Sequence, residues 1–335
     1  MRSARTAALG LLILAAGGIM RVGHADEIRP AVVFNVGGKH DQSFNESVAV
    51  GLARFEADAG ITFVEVEPRD ESEFEPAHRR LAERGQDPII AVGYNQAETI
   101  ARIAAAFPRT RFTLIDAAIP LPNVQSVIFK EHEGSFLVGV LAAMASKTGK
   151  SGFVGGMDTP IIRKFACGYV QGIKHANPRA EILQDMTGTT PAAWNNPARG
   201  AALALAQFER GVDVVYAAAG GTGIGVLRAA KQRGKLAIGV DSNQNGVEPG
   251  TVLTSMIKRV DLVAYDSLQA ALTGRWRGGV IEFGLKEGGV DWVLDDDNAA
   301  LITTAMQTAA DAARADIIAG KIVVQDYTVI GGCPF

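Results

Sequence analysis

Apolar residues along this chain recur with two different periods. Short β-branched runs read as buried strands: VVFNV (32–36), TFVEVE (62–67), PIIAVG (88–93) and RFTLID (111–116). Between them, apolar positions recur at helical spacing over 43–59, 74–84 and 96–106. Such alternation predicts an α/β fold: a parallel sheet with helices on both faces and right-handed crossovers. A second series of the same design begins after residue 130. It predicts helices over 133–149, 162–176, 197–210 and 223–233, with strands at 149–156, 180–185, 213–218 and 236–241. The tail predicts strands at 252–257, 279–284 and 321–330, and a helix between the last two bounded by Asn298 and Gly320.

No Pro- or Ser-rich linker separates the two series. Several short crossings acting as a hinge are therefore expected, with two Rossmann-like lobes facing each other. Open α/β sheets bind ligands beyond the carboxyl ends of their strands, so the cleft between the lobes is the expected site. The expected division gives 26–128 plus about 259–283 to the N-terminal lobe, and 129–258 plus about 284–335 to the C-terminal lobe.

The first 25 residues read differently. Arg2 and Arg5 precede an apolar run from Ala8 to Met20, and Gly23-His24-Ala25 offers a small-x-small cleavage site. This is the pattern of a secretory signal peptide, which places the mature chain in a periplasm. No cysteine stands near that site to accept a lipid anchor. Hydrophobic residues make up 47% and charged residues 21%, as in a soluble globular protein. The net charge of −3 lacks the basic footprint of a nucleic-acid binder. The cysteines are Cys167 and Cys333. An oxidising compartment permits their pairing, but the expectation is a buried Cys167 and a free Cys333 in the tail. No CxxC, HExxH or other metal spacing occurs, so neither metal nor cofactor is expected.

The predicted strand-to-helix turns carry unusual chemistry. GGKHDQSFNES (37–47) holds Asp41, Ser43, Phe44 and Asn45; RFTLID ends in Asp116; TGTTPAAWNNPARG holds Trp194. GGTGIG (220–225) includes Gly221, and later strands end in Asp241 and Lys258. All fall on one predicted rim. Aromatic faces suit a flat ring, Asp carboxylates suit neighbouring sugar hydroxyls, and Lys258 suits a ring oxygen or a hydroxyl. Plainer readings stand beside these. Ser43 and Asn196 are candidate helix caps, Phe44 a hydrophobic staple, Asp241 a turn residue and Tyr94 a wall. GGTGIG imitates a dinucleotide fingerprint but has Val226 where the third glycine belongs. GxSxG is absent and the five histidines are scattered, so an enzyme such as a periplasmic nucleosidase is the weaker class.

Taken together, GGKHDQSFNES, SVIFKEHEGSFLVGVLAA, GFVGGMDTPIIRKFACGYVQGIK, WNNPARG, YAAAGGTGIG, IGVDSNQN and TSMIKRVD resemble the basic membrane protein family, in order and over nearly the whole mature chain. These are substrate-binding proteins of ABC transporters, purine nucleoside receptors among them. The resemblance implies a type I periplasmic binding-protein fold, a monomer whose lobes close on a purine nucleoside for delivery to an inner-membrane permease. It further implies that Phe44 and Trp194 sandwich the base, and that Asp241 and Lys258 hold the ribose. Asp41, Asn45, Gly221 and Asp116 correspond to polar and backbone contacts. This sequence departs from the family pattern in lacking the lipid-acceptor cysteine, in Trp194 where Phe is expected, in Asn196 where Asp is usual, and in His40.

Overall fold

The computed structural model describes residues 28–335. The expected signal peptide (1–25) lies outside them. The first lobe begins with β1 (Ala31–Val33), α1 (Phe44–Ala59), β2 (Val64–Val66), α2 (Phe74–Glu83), β3 (Ile89–Val92), α3 (Ala97–Ala106), β4 (Phe112–Ile115) and β5 (Val124–Phe129). The second continues with α4 (Glu131–Ala145), β6 (Lys150–Met157), α5 (Pro160–Ala176), β7 (Glu181–Gly188), α6 (Pro197–Glu209), β8 (Val214–Ala218), α7 (Gly223–Arg233), β9 (Leu236–Asp241) and β10 (Val252–Lys258). Then come α8 (Val260–Leu272), β11 (Gly279–Phe283), β12 (Val290–Trp292), α9 (Thr304–Ile318) and α10 (Tyr327–Ile330).

These strands form two six-stranded sheets, ordered β11-β5-β4-β3-β1-β2 and β12-β10-β9-β8-β6-β7. All pairings between named strands are parallel except β10 with β12. The two orders correspond strand for strand, with β4 and β9 in the same place. Central strands β1, β3, β4 and β8 are buried along their whole length, as continuous β-branched runs covered on both faces require. The chain passes between sheets after Phe129, after Lys258 and after Phe283. These crossings are laced together: Lys130 N–H donates to the Phe283 carbonyl at 2.9 Å, and Arg259 N–H to the Gly289 carbonyl at 2.8 Å.

The tail differs from expectation. No strand forms over 321–330; a loop leads instead into α10. Its backbone finds partners other than a sheet, because Gln171 on α5 brackets Gln325, accepting from its N–H at 2.8 Å and donating to its carbonyl at 2.9 Å. The helix expected from Asn298 starts at Thr304, capped by Thr303, whose hydroxyl accepts from Met306 N–H. Asn298 is buried and donates to the Leu253 and Val293 carbonyls, so it fixes a turn rather than a helix end. Cys167 and Cys333 form a disulfide with Cα atoms 5.5 Å apart, which corrects the expectation of a free Cys333. The tail folds back along α5, a return that pattern alone did not foretell.

Candidate functional site

Local capping builds the first wall. The Asp41 carboxylate accepts from the backbone N–H groups of Ser43, Asn45 and Glu46 at 2.9, 3.0 and 3.1 Å. It therefore satisfies the orphan donors at the start of α1. Burial raises its pKa, against those three hydrogen bonds. Ser43, read from sequence as the cap, occupies the N-cap position without a side-chain cap bond. Its hydroxyl instead crosses the cleft and donates to Asp241 at 2.6 Å. Asn45 is buried, donating to the Asn35 and Gly38 carbonyls and accepting from Asn35 N–H, so its amide is spent on holding the turn. Asn196 does cap α6, accepting from Arg199 N–H at 3.0 Å.

The strand ends supply charge. Asp116 follows β4 and Asp241 ends β9, corresponding positions of the two sheets, and both have left-handed backbone, with φ of 72° and 64°. Such conformations cost about 1–3 kcal/mol each at non-glycine residues and cluster where function needs them. Between the acids lies Lys258, 2% exposed, with its ammonium 2.7 Å from Asp116. The rings of Phe129, Phe44 and Phe165 surround that nitrogen at 5.0, 5.1 and 5.7 Å, within reach of cation–π attraction. Burial pushes the Asp241 carboxyl up to about 6, although Lys258 and the Ser43 hydroxyl pull it down. Asp116 is raised for the same first reason. Lys258 is held above its ordinary value: burial opposes its charge, and Asp116, Glu131 and Asp241 more than compensate.

Trp194 supplies a further wall. A Cβ added at Gly156 would lie 2.2 Å from the indole ring, so the ring rests directly on the backbone of β6. The Thr222 hydroxyl fixes the Trp194 turn, donating to the Ala193 carbonyl and accepting from Asn196 N–H, both at 2.7 Å.

The cleft so formed encloses about 600 Å³, including its open mouth. Asp41, Phe44, Asn45, Asp116, Trp194, Asp241 and Lys258 all line it. Gly221 does not. The glycine facing the cleft is Gly220, while Gly221 lines a separate groove with His40 and Asp41. The sequence reading also missed Phe165, Ile161 and Ile162 on α5, an apolar wall whose spacing looks like ordinary core. Tyr94 also lines the cleft. The lining offers flat aromatic surface and carboxylate acceptors with one ammonium, a set suited to an uncharged ring bearing hydroxyls. Among the described residues, no three His, Cys, Asp or Glu side chains are placed to hold a metal ion.

Comparison with known proteins agrees with this architecture. The profile of the Bmp family, described as "ABC transporter substrate-binding protein PnrA-like", matches residues 28–328. The chain is 31% identical over 321 residues to the "ABC transporter nucleoside-binding protein BmpA" of Lactococcus lactis subsp. cremoris, covering 89% of each. It is 32% identical over 310 residues to an uncharacterized lipoprotein of Pyrococcus abyssi, covering 86% of this chain and 76% of that one. Among solved structures, an ABC transporter solute-binding protein of Aeropyrum pernix superposes with a TM-score of 0.82 at 29% identity, covering 89% of this chain and 94% of that one.

Proposed function

The chain belongs to the Bmp family of PnrA-like ABC transporter substrate-binding proteins, and on that premise we propose that it captures a purine nucleoside between its lobes and hands it to an inner-membrane ABC permease. The observation that carries this reading is the convergence of Phe44 and Trp194 with the Asp116–Lys258–Asp241 cluster on one cleft. In this reading Phe44 and Trp194 stack on the base, while Asp241 and Lys258 bond the ribose hydroxyls. Asp116 supplies a further acceptor. Asp41 and Asn45 shape the floor by holding the first turn. Three carboxylates (Asp41, Asp116 and Asp241) against one cleft ammonium favour an uncharged nucleoside over a phosphorylated one. The protein acts as a monomeric receptor without catalysis, and it works in the periplasm. No helix among the described residues is long and apolar enough to cross a membrane.

Thermal unfolding of residues 27–335 against adenosine, guanosine, inosine, ribose, free bases and riboflavin tests the reading. A nucleoside at about 100 times its Kd adds about 2.7 kcal/mol to the folded state. A shift with nucleosides and none with ribose or base is expected. A shift with riboflavin or a sugar alone would replace the ligand. Nucleoside affinity unchanged in both Asp241→Ala and Phe44→Ala would remove the proposed site.

A further inference from the structure

Behind the cleft the buried charges continue in single file. The Lys258 ammonium, besides its contact with Asp116, is 3.0 Å from one Glu131 oxygen. The other Glu131 oxygen is 3.0 Å from the Lys164 ammonium. Lys164 donates to the Phe129 carbonyl at 2.6 Å and lies 3.3 Å from Asp326, which caps α10 in the disulfide-tethered tail. Glu131 is 1% exposed and does not line the cleft. It opens α4, and Lys258 ends β10, so their pair joins two of the crossings between lobes. Burial raises the Glu131 carboxyl, but Lys258 and Lys164 reverse this, so it stands below the ordinary value and stays ionised.

The groups facing the Lys258 ammonium are Asp116 after β4, Asp241 on β9, Glu131 on α4 and the rings of Phe44, Phe129 and Phe165. Without Glu131, Asp116 at 2.7 Å would be the one carboxylate left in ion-pair contact with the ammonium among the described residues, Asp241 standing farther off. The ammonium would then commit to Asp116 and neutralise that acceptor. We propose that Glu131, itself held by Lys164, which Asp326 anchors, is a positioning residue that keeps the Lys258 ammonium shared between itself and Asp116, leaving both ammonium and Asp116 able to bond a ligand. Its consequence for affinity rests on the reading of the cleft as a nucleoside site; the sharing of Lys258 does not. Other charges stay constant in this account: His132, 3.7 Å from Asp326, is neutral at pH 7, its pKa lowered to about 4 chiefly by burial.

The test follows the Asp116 and Asp241 carboxyl titrations by carbon-detected NMR in the full mature chain, for wild type, Glu131→Gln and Asp326→Asn. Glu131→Gln keeps the side chain's shape, and Asp326→Asn, remote from the cleft, serves if the first fails to fold. The expected result is an Asp116 midpoint lower by about one pH unit, less in Asp326→Asn, while Asp241 holds or rises as Lys258 turns away. An unmoved Asp116 overturns the proposal. So does a joint fall of both acids, which loss of the Glu131 charge alone, without movement of Lys258, would produce. In parallel, guanosine, adenosine and inosine affinities should fall about tenfold in Glu131→Gln. If wild type binds none of the three, the nucleoside reading fails, and the titrations still decide the positioning role.

Discussion

Asp41 and Ser43 exchange the roles that their types suggest. A serine before a helix reads as its cap, and an aspartate in a polar turn reads as a ligand contact. Here the aspartate is two residues ahead of the N-cap and reaches three N–H groups, which frees the serine hydroxyl for Asp241. Composition of the turn was legible; which oxygen meets which donor depends on φ and ψ and was not. Asp241 also yields a pH prediction. Its carboxyl is raised to about 6 in the folded chain from an ordinary 3.8. Between those values the folded chain holds a proton that the unfolded chain lacks, so this group's contribution to stability grows as pH falls through 6. Urea unfolding of wild type and Asp241→Asn from pH 7.5 to 4.5 should show wild type gaining on the variant with acidification. Nucleoside affinity should move the other way, falling by up to about tenfold per pH unit below 6 as the acceptor is lost. Calorimetric titration over the same range checks it.

Most helices and strands followed from apolar period, with boundaries close to those expected, because continuous buried runs and amphipathic stripes are local signals. β5, β12 and α8 were missed. Val290–Trp292 is too short to show a period, and its pairing partner β10 is far off in sequence. Packing of α4 against α5 was equally hidden. A Cβ at Gly168, Gly172 or Gly139 would lie 2.0–2.3 Å from a carbonyl oxygen of the facing helix, so backbone meets backbone there. Gly172→Ala must push the helices apart, and a loss of about 1–3 kcal/mol is expected. Because Phe165 and Lys164 ride on α5 and Glu131 on α4, the same substitution should weaken ligand binding, measurable by denaturant melts alongside titration calorimetry.

At the scale of the whole molecule, the two-lobed plan was readable because the same strand–helix alternation occurs twice. The gathering of cleft residues was readable only as a shared rim, together with a family resemblance. Gly221 fell outside because one residue of turn geometry decides whether Gly220 or Gly221 faces inward. The disulfide was not readable: a separation of 166 residues says nothing about approach. Closing a chain segment of that length restricts the unfolded ensemble, so Cys333→Ser should cost about 2–4 kcal/mol, seen as a lowered melting temperature that reducing agent reproduces in wild type.

The lacing of the crossings bears on how the lobes move. Independent tethers would let one lobe slide, tilt and twist over the other. Here the backbone at Lys130 is bonded to Phe283, and Arg259 to Gly289, so the tethers are joined like slats in a shutter. Bending about one axis preserves those bonds, whereas sliding breaks them. On the proposed reading, opening and closing reduce to a single angle, and a partner touching both lobes can read occupancy from the gap between them. Spin labels on exposed Arg69 and Asn243, one in each lobe, should give a two-peaked distance distribution whose weights alone change with ligand; a broad continuum would show lobes moving in several directions.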